Sequence, residues 1–339
     1  MTQNWTSIFG DAAVATLLIL PSFGSMGPAE AGGPPTPPAP PAPPAPMVHV
    51  APAGQGGDWS SWAPRNYNTR GLRVDDFVGT VLVNVRDGGP MTVEAWGARE
   101  RLKGLHVSQD DGRLEIKGSQ LYDSQSVWDW KHWFDFSNLT EETSRNLTVR
   151  ITVPRGTDVD IESLVGNATI GDTQGTLRLD AAATKAVIGH IASADIEVGG
   201  SGRIDIASVT GTLKLDVGGS GKITVGSVGN VKADIAGSGD ARIGAIAGGL
   251  DIDIAGSGDV VAARVNGPTR VDIAGSGSVK IADGTADPLH VQIMGAGNFN
   301  FGGVAINPHI EAFGSGNVHI KSYRGHMDSE GMADVKIGD

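Results

Sequence analysis

The sequence predicts an all-β solenoid. It reads as a single-stranded β-helix of about nine coils, each 17–20 residues long, behind an N-terminal β cap and a disordered Pro-rich N-terminus. Three observations predict it. A Gly-[Ser/Ala]-Gly phrase returns about every 19 residues, its second glycine falling at Gly202, Gly221, Gly239, Gly258, Gly277, Gly297 and Gly316. Apolar and polar residues alternate on both sides of the phrase, as in "TLKLDV" (Thr212–Val217) before it and "KITV" (Lys222–Val225) after it, which is the period of a half-buried strand. Breakers recur between the alternating runs, at Gly229-Asn230, Gly248-Gly249, Gly267-Pro268 and Asn307-Pro308, so each coil holds two or three short strands joined by tight corners.

The chain opens differently. Ala12–Leu20, "AAVATLLIL", is apolar but too short to span a bilayer, and "AEA" (Ala29–Ala31) follows it. Residues 1–31 read as a secretory signal peptide, although no Lys or Arg precedes the run and Asp11 is acidic; a cytoplasmic tail is the other reading. Nine of the 18 prolines fall in "PPTPPAPPAPPAP" (Pro34–Pro46), an extended polyproline spacer, and residues 32–70 read as a disordered tether. Residues 71–159 read as a β cap. "MTVEAW" (Met91–Trp96), "RLEIKG" (Arg113–Gly118) and "NLTVRITVP" (Asn146–Pro154) are strand-like, and Asp111-Gly112 is a hairpin turn. A solenoid end exposes unpaired strand edges and apolar core, so it needs such a cover. Within the cap, "SVWDWKHWFDF" (Ser126–Phe136) gathers Trp128, Trp130 and Trp133, either as cover for the core or as a contact site for a partner.

Residues 160–321 hold the repeats, and 322–339 a tail that is either a last strand or loose. Two weaker copies, Val165–Ile170 and Ala183–Ile188, precede the strong ones, with Asn167 and Lys185 standing where later copies have the second glycine. Coils stacked about 4.8 Å apart convert the period into ladders. Leu215, Ile235, Ile254 and Ile273 are expected one above another inside. The corner glycines are expected to supply positive φ and to let successive corners approach closely.

The chemistry is sparse. Net charge is −12, which argues against nucleic acid as a partner, and there is no cysteine for disulfides, thiolate chemistry or zinc. No Gly-Lys-Ser follows the glycine turns, so they are not phosphate cradles. Stacking predicts an outward acid column, Asp180, Glu197, Asp216, Asp234, Asp253 and Asp272, then Gln292 and Glu311. Two residues earlier run Arg178, Asp195, Lys214, Lys232, Asp251, Arg270, His290 and His309. Paired columns on a solvated face account for the acids without a metal. Asp251 and Asp253 lack a base beside them and are the candidates if a cation binds. Asp240 and Asp259, one coil apart, are the acids that a polysaccharide lyase or hydrolase would use, but no second set of groups converges on them. There is no serine nucleophile elbow.

The "LEIKG" and "VRITVP" strands followed by serial "GSGD", "GSGS" and "GSGN" turns resemble the bacterial auto-transporter adhesin head GIN domain family (DUF2807), over roughly Phe77–Lys321. A related β-repeat family shares the general pattern. The resemblance implies a right-handed β-helix exported to the periplasm or cell surface, with no catalytic residues to carry over. The leading reading is a non-enzymatic, exported solenoid for surface adhesion or envelope interaction. It needs no cofactor and has no integral membrane span in the mature chain, and its partner is a protein or glycan of the surface or envelope. A polysaccharide-active enzyme and a calcium-stabilised rod are the alternatives.

Overall fold

The computed structural model describes residues 59–118, 147–331 and 334–338. They form a β-solenoid of about nine turns. Alternation decides which side of each strand faces in. In Leu250–Gly256, for example, Leu250, Ile252 and Ile254 are buried while Asp251 and Asp253 are only partly so.

Its first elements are β1 (Trp59–Tyr67), β2 (Gly71–Asp75), β3 (Val78–Arg86) and β4 (Met91–Ala98), then a short α1 (Arg99–Lys103). They are followed by β5 (His106–Asp110), β6 (Arg113–Lys117), β7 (Leu147–Pro154), β8 (Asp158–Ile170) and β9 (Thr176–Ile191). β2 lies parallel between β6 and β8, and β3 lies parallel between β7 and β8. These strands are therefore coils of the solenoid, not a separate layer over it. Covering falls to the antiparallel edges: β5 pairs with β6, β4 with β7, and β1 with β4. α1 joins β4 to Leu105, burying Leu102, Leu105 and the Arg101 guanidinium, which donates to the Val78 carbonyl. The expected cap of residues 71–159 is thus narrower than the sequence predicts. The expected tether is shorter too, because Trp59–Tyr67 is already a strand.

From β9 onward, through β10 (Ser193–Val198), β11 (Arg203–Val217) and β12 (Lys222–Gly237), coils follow in chain order with parallel register. Val217, Ile235, Ile254, Ile273 and Ile293 form one inward ladder. Leu215 stands in the neighbouring ladder instead, with Leu179 and Ile196 before it and Ala233, Ile252, Val271 and Val291 after it. A third ladder, Val209, Val228, Ile246 and Val265, lines the remaining side. All of these side chains are buried. Each fully buried Val, Leu or Ile contributes about 1.5–3 kcal/mol before chain entropy is subtracted. The tail is not loose throughout: Asp328–Gly331 and Asp334–Ile337 pair parallel with the strands one coil earlier.

Candidate functional site

The recurring corner sets two outward faces at an angle, and its glycines divide the labour. Positive φ belongs to the first glycine of the last five phrases, Gly237, Gly256, Gly275, Gly295 and Gly314, and not to Gly200 or Gly219 of the first two. The second glycine, the one singled out from sequence, has no positive φ. It is required by contact. A Cβ on Gly258 would stand 2.7 Å from Ile235 Cγ2, and one on Gly277 2.8 Å from Ile254 Cγ2, each an inward side chain of the preceding coil. The same column runs back through Gly166 and Gly79, interrupted only by Thr184, whose buried hydroxyl donates to the Leu164 carbonyl at 2.7 Å. Gly166 and Thr184 therefore hold the glycine place in the two weak copies, and Asn167 and Lys185 do not. Those two belong one position later, among the outward residues.

On the face before the corner the acid column is in register from Asp180 through Glu197, Asp216, Asp234, Asp253 and Asp272 to Gln292 and Glu311. The companion column from Arg178 to His309 stands beside it in the same register. Ion pairing is patchier than adjacency implies. Arg270 holds Asp272 at 2.7 Å, and His309 meets Glu311 and Asp328 at 3.1 Å each. Lys214 and Lys232 form no ion pair among the described residues, although Asp216 and Asp234 stand two positions further along the same strands.

A shallow groove of about 310 Å³ follows the acids, with Asp216, Asp234, Asp253 and Asp272 on one side and Ala236, Ala255, Ala274 and Met294 on the other. Burial, then the charges of Asp272, Asp251 and Asp234, push the Asp253 carboxyl above its ordinary value. Burial also raises Asp180, with Glu162 adding to it and Arg178 opposing. The Glu311 hydrogen bond is the leading cause that raises His309. Asp253 belongs to this ladder, and Asp251 stands beside it in the companion column between Lys232 and Arg270. Among the described residues no three His, Asp or Glu side chains gather in an arrangement that would hold a metal ion.

On the face after the corner, Asp240 and Asp259 do stack, but each has its own partner. Arg242 lies 3.7 Å from Asp240, and the Ser278 hydroxyl donates to Asp259 at 2.5 Å. His290 and His309 stack edge to face at 5.8 Å on the outer surface. Trp128, Trp130 and Trp133 lie outside the described residues, as does the apolar run Ala12–Leu20. Among the described residues, no helix is long and apolar enough to cross a membrane.

This second face holds what sequence reading missed. Its outer column does not begin at Arg203. It begins at Ser61 and passes through Trp96, Thr148, Thr80, Asn167 and Lys185 before reaching Arg203 and Lys222. The contributing strands β4, β7, β3 and β8 are adjacent in space but out of chain order, so no fixed period reveals them.

The family model described as "Putative auto-transporter adhesin, head GIN domain" matches residues 76–264, more than half of the chain. No curated protein matches the sequence. Among solved structures, a "putative adhesin" from Bacteroides fragilis is similar at 11% identity and a TM-score of 0.32, covering 83% of this chain and 98% of that one. A "putative adhesin" from Parabacteroides distasonis is similar at 14% identity and a TM-score of 0.37, with coverage of 83% and 98%. A "putative lipid binding protein" from Parabacteroides distasonis is similar at 13% identity and a TM-score of 0.32, with coverage of 84% and 96%.

Proposed function

The chain belongs to the head GIN domain family, and from that premise we propose that it is an exported, non-enzymatic solenoid that holds a partner at the cell surface or in the envelope. The observation that carries this reading is the register of the outward side chains. The acid column keeps its place over eight successive coils, from Asp180 to Glu311. Such a surface repeats one contact many times along a line. It suits an extended partner, because each contact is weak singly and the sum is not. The rigid ladder core serves this use, since the outward groups are fixed before binding and little ordering entropy is lost on contact.

One other reading competes with it in the laboratory. In an enzyme, Asp240→Asn with Asp259→Asn would abolish turnover of acidic polysaccharide; in the proposed role the doubly substituted chain behaves as the parent. Localisation is the direct test. Protease added to intact native cells should remove the chain if it stands on the surface. Release with the periplasmic fraction would place it within the envelope. Retention with the cytoplasm would overturn export.

A further inference from the structure

We propose that the outer column from Trp96 to Lys222 is a binding strip for an acidic polysaccharide, the chain of sugars lying along the solenoid axis. This rests on the surface role above and names the class of partner for the face after the corner, not for the acid column before it. Three cations stack at one end of this column. Lys185, Arg203 and Lys222 are register partners on β9, β11 and β12, one strand spacing or about 4.8 Å apart. All three are exposed or partly so, and none forms an ion pair among the described residues. Three like charges in line repel one another, and cross-strand like charges are unfavourable. A row of unneutralised cations on a chain of net charge −12 is the feature that calls for an anionic partner.

The rest of the column says what else that partner carries. Continuing past Lys185 come Asn167, Thr80 and Thr148, each partly exposed, and then Trp96. Amide and hydroxyl groups at regular spacing match a ligand rich in hydroxyls. Trp96 offers an aromatic surface to a sugar ring, and the Arg150 guanidinium, 4.7 Å from its centroid, holds the indole in place. The whole strip, six strand spacings, is about 29 Å long. It is also narrow. Asp205 stands beside Arg203 on the same strand, and the column turns acidic at Asp240 and Asp259. A bilayer spreads its charge over an area and would meet those acids. A single thread of sugars with carboxylates avoids them. A single-stranded polynucleotide is disfavoured because such ligands are held by successive aromatic stacks along a basic groove, and this strip has one indole at one end.

The test uses the purified full chain with polygalacturonate as probe, and neutral dextran and a single-stranded oligonucleotide beside it, by titration calorimetry at low and high salt. Polygalacturonate should bind, more weakly as salt rises, with dextran and oligonucleotide weaker still. Replacing Lys185, Arg203 and Lys222 together by Gln should weaken binding at least about tenfold without lowering the melting temperature, and Trp96→Ala should weaken it about threefold. Arg203→Gln alone keeps the test open if the triple variant does not fold, and should weaken binding about threefold. Undiminished binding by the folded variants overturns the strip, as does tighter binding to the oligonucleotide or to dextran, or indifference of the parent chain to polygalacturonate. The surface or envelope role fails separately: retention with the cytoplasmic fraction of native cells would refute it whatever the calorimeter shows.

Discussion

The serial coils and the first coils solve the same packing problem with opposite wiring. From β9 onward each strand rests on the strand one period earlier, so register contacts join residues about 19 apart. In the first coils β3 is paired with β7 and β8, some 70 to 90 residues further along the chain, and β4 runs antiparallel across the edge of β7. The inward ladders look alike in both regions. What differs is the distance along the chain over which each contact acts. Serial coils behave as nearest neighbours, each stabilised by the one below and the one above. The first coils are interlocked: β3 needs both β7 and β8, β2 needs both β6 and β8, and β8 carries β2 and β3 together.

The largest effect should come from breaking the interlocked region. Phe77 is fully buried between β2 and β3, and its carbonyl accepts the Val165 amide at 3.0 Å. Phe77→Ala should cost about 3–5 kcal/mol. Hydrogen exchange should show faster opening across β2, β3, β7 and β8 together. Ile254→Ala in the serial region should cost about 2–5 kcal/mol, but with faster exchange confined to the coils that touch it. Equal spreading in both variants would remove the distinction drawn here.

A smaller effect separates two corners within the serial region. Gly275 has φ of +136°, and a Cβ there would stand 2.3 Å from the Gly256 carbonyl oxygen. Gly275→Ala should lower stability by about 2–3 kcal/mol, through both the backbone conformation and the collision. A Cβ on Gly199 meets nothing within 4 Å, and its φ is not positive. Gly199→Ala should therefore change stability by no more than about 0.5 kcal/mol. Thermal melts of the two variants against the parent decide it; matching losses would mean that corner glycines are kept for some reason other than backbone geometry.

The same contrast explains what the amino-acid sequence reveals. The solenoid, its period and its inward Ile and Val residues are legible because a short local pattern repeats, and because strand alternation alone separates Ile252 and Ile254 from Asp251 and Asp253. The acid column is legible for the same reason. The role of each corner glycine is not, since positive φ and close approach both demand glycine and only coordinates tell Gly256 from Gly258. Nor is the register of the weak copies, where a glycine–threonine exchange at Gly166 and Thr184 shifts the apparent phase by one residue. The strip from Trp96 to Lys222 is least legible of all. Trp96, Thr148 and Thr80 come from β4, β7 and β3, whose adjacency depends on long-range pairing that no local period encodes.

The smallest effect concerns the acid ladder, where only the serial region stacks like charges coil after coil. Asp253 is held above the ordinary aspartate value by burial and by Asp272, Asp251 and Asp234. The folded chain thus binds this proton more tightly than the unfolded chain does. That preference favours folding fully below the unfolded value, about 3.9, and is lost as pH rises through the raised folded value. At pH 7 the ionised carboxylate therefore opposes folding. Asp253→Asn should raise the melting temperature by about 1–2 °C at pH 7, and the gain should vanish near pH 3, where the parent side chain is itself protonated. A gain that persists at pH 3 would trace to packing of the amide, and a loss at pH 7 would mean that the carboxylate is serving an attraction that outweighs its three acidic neighbours.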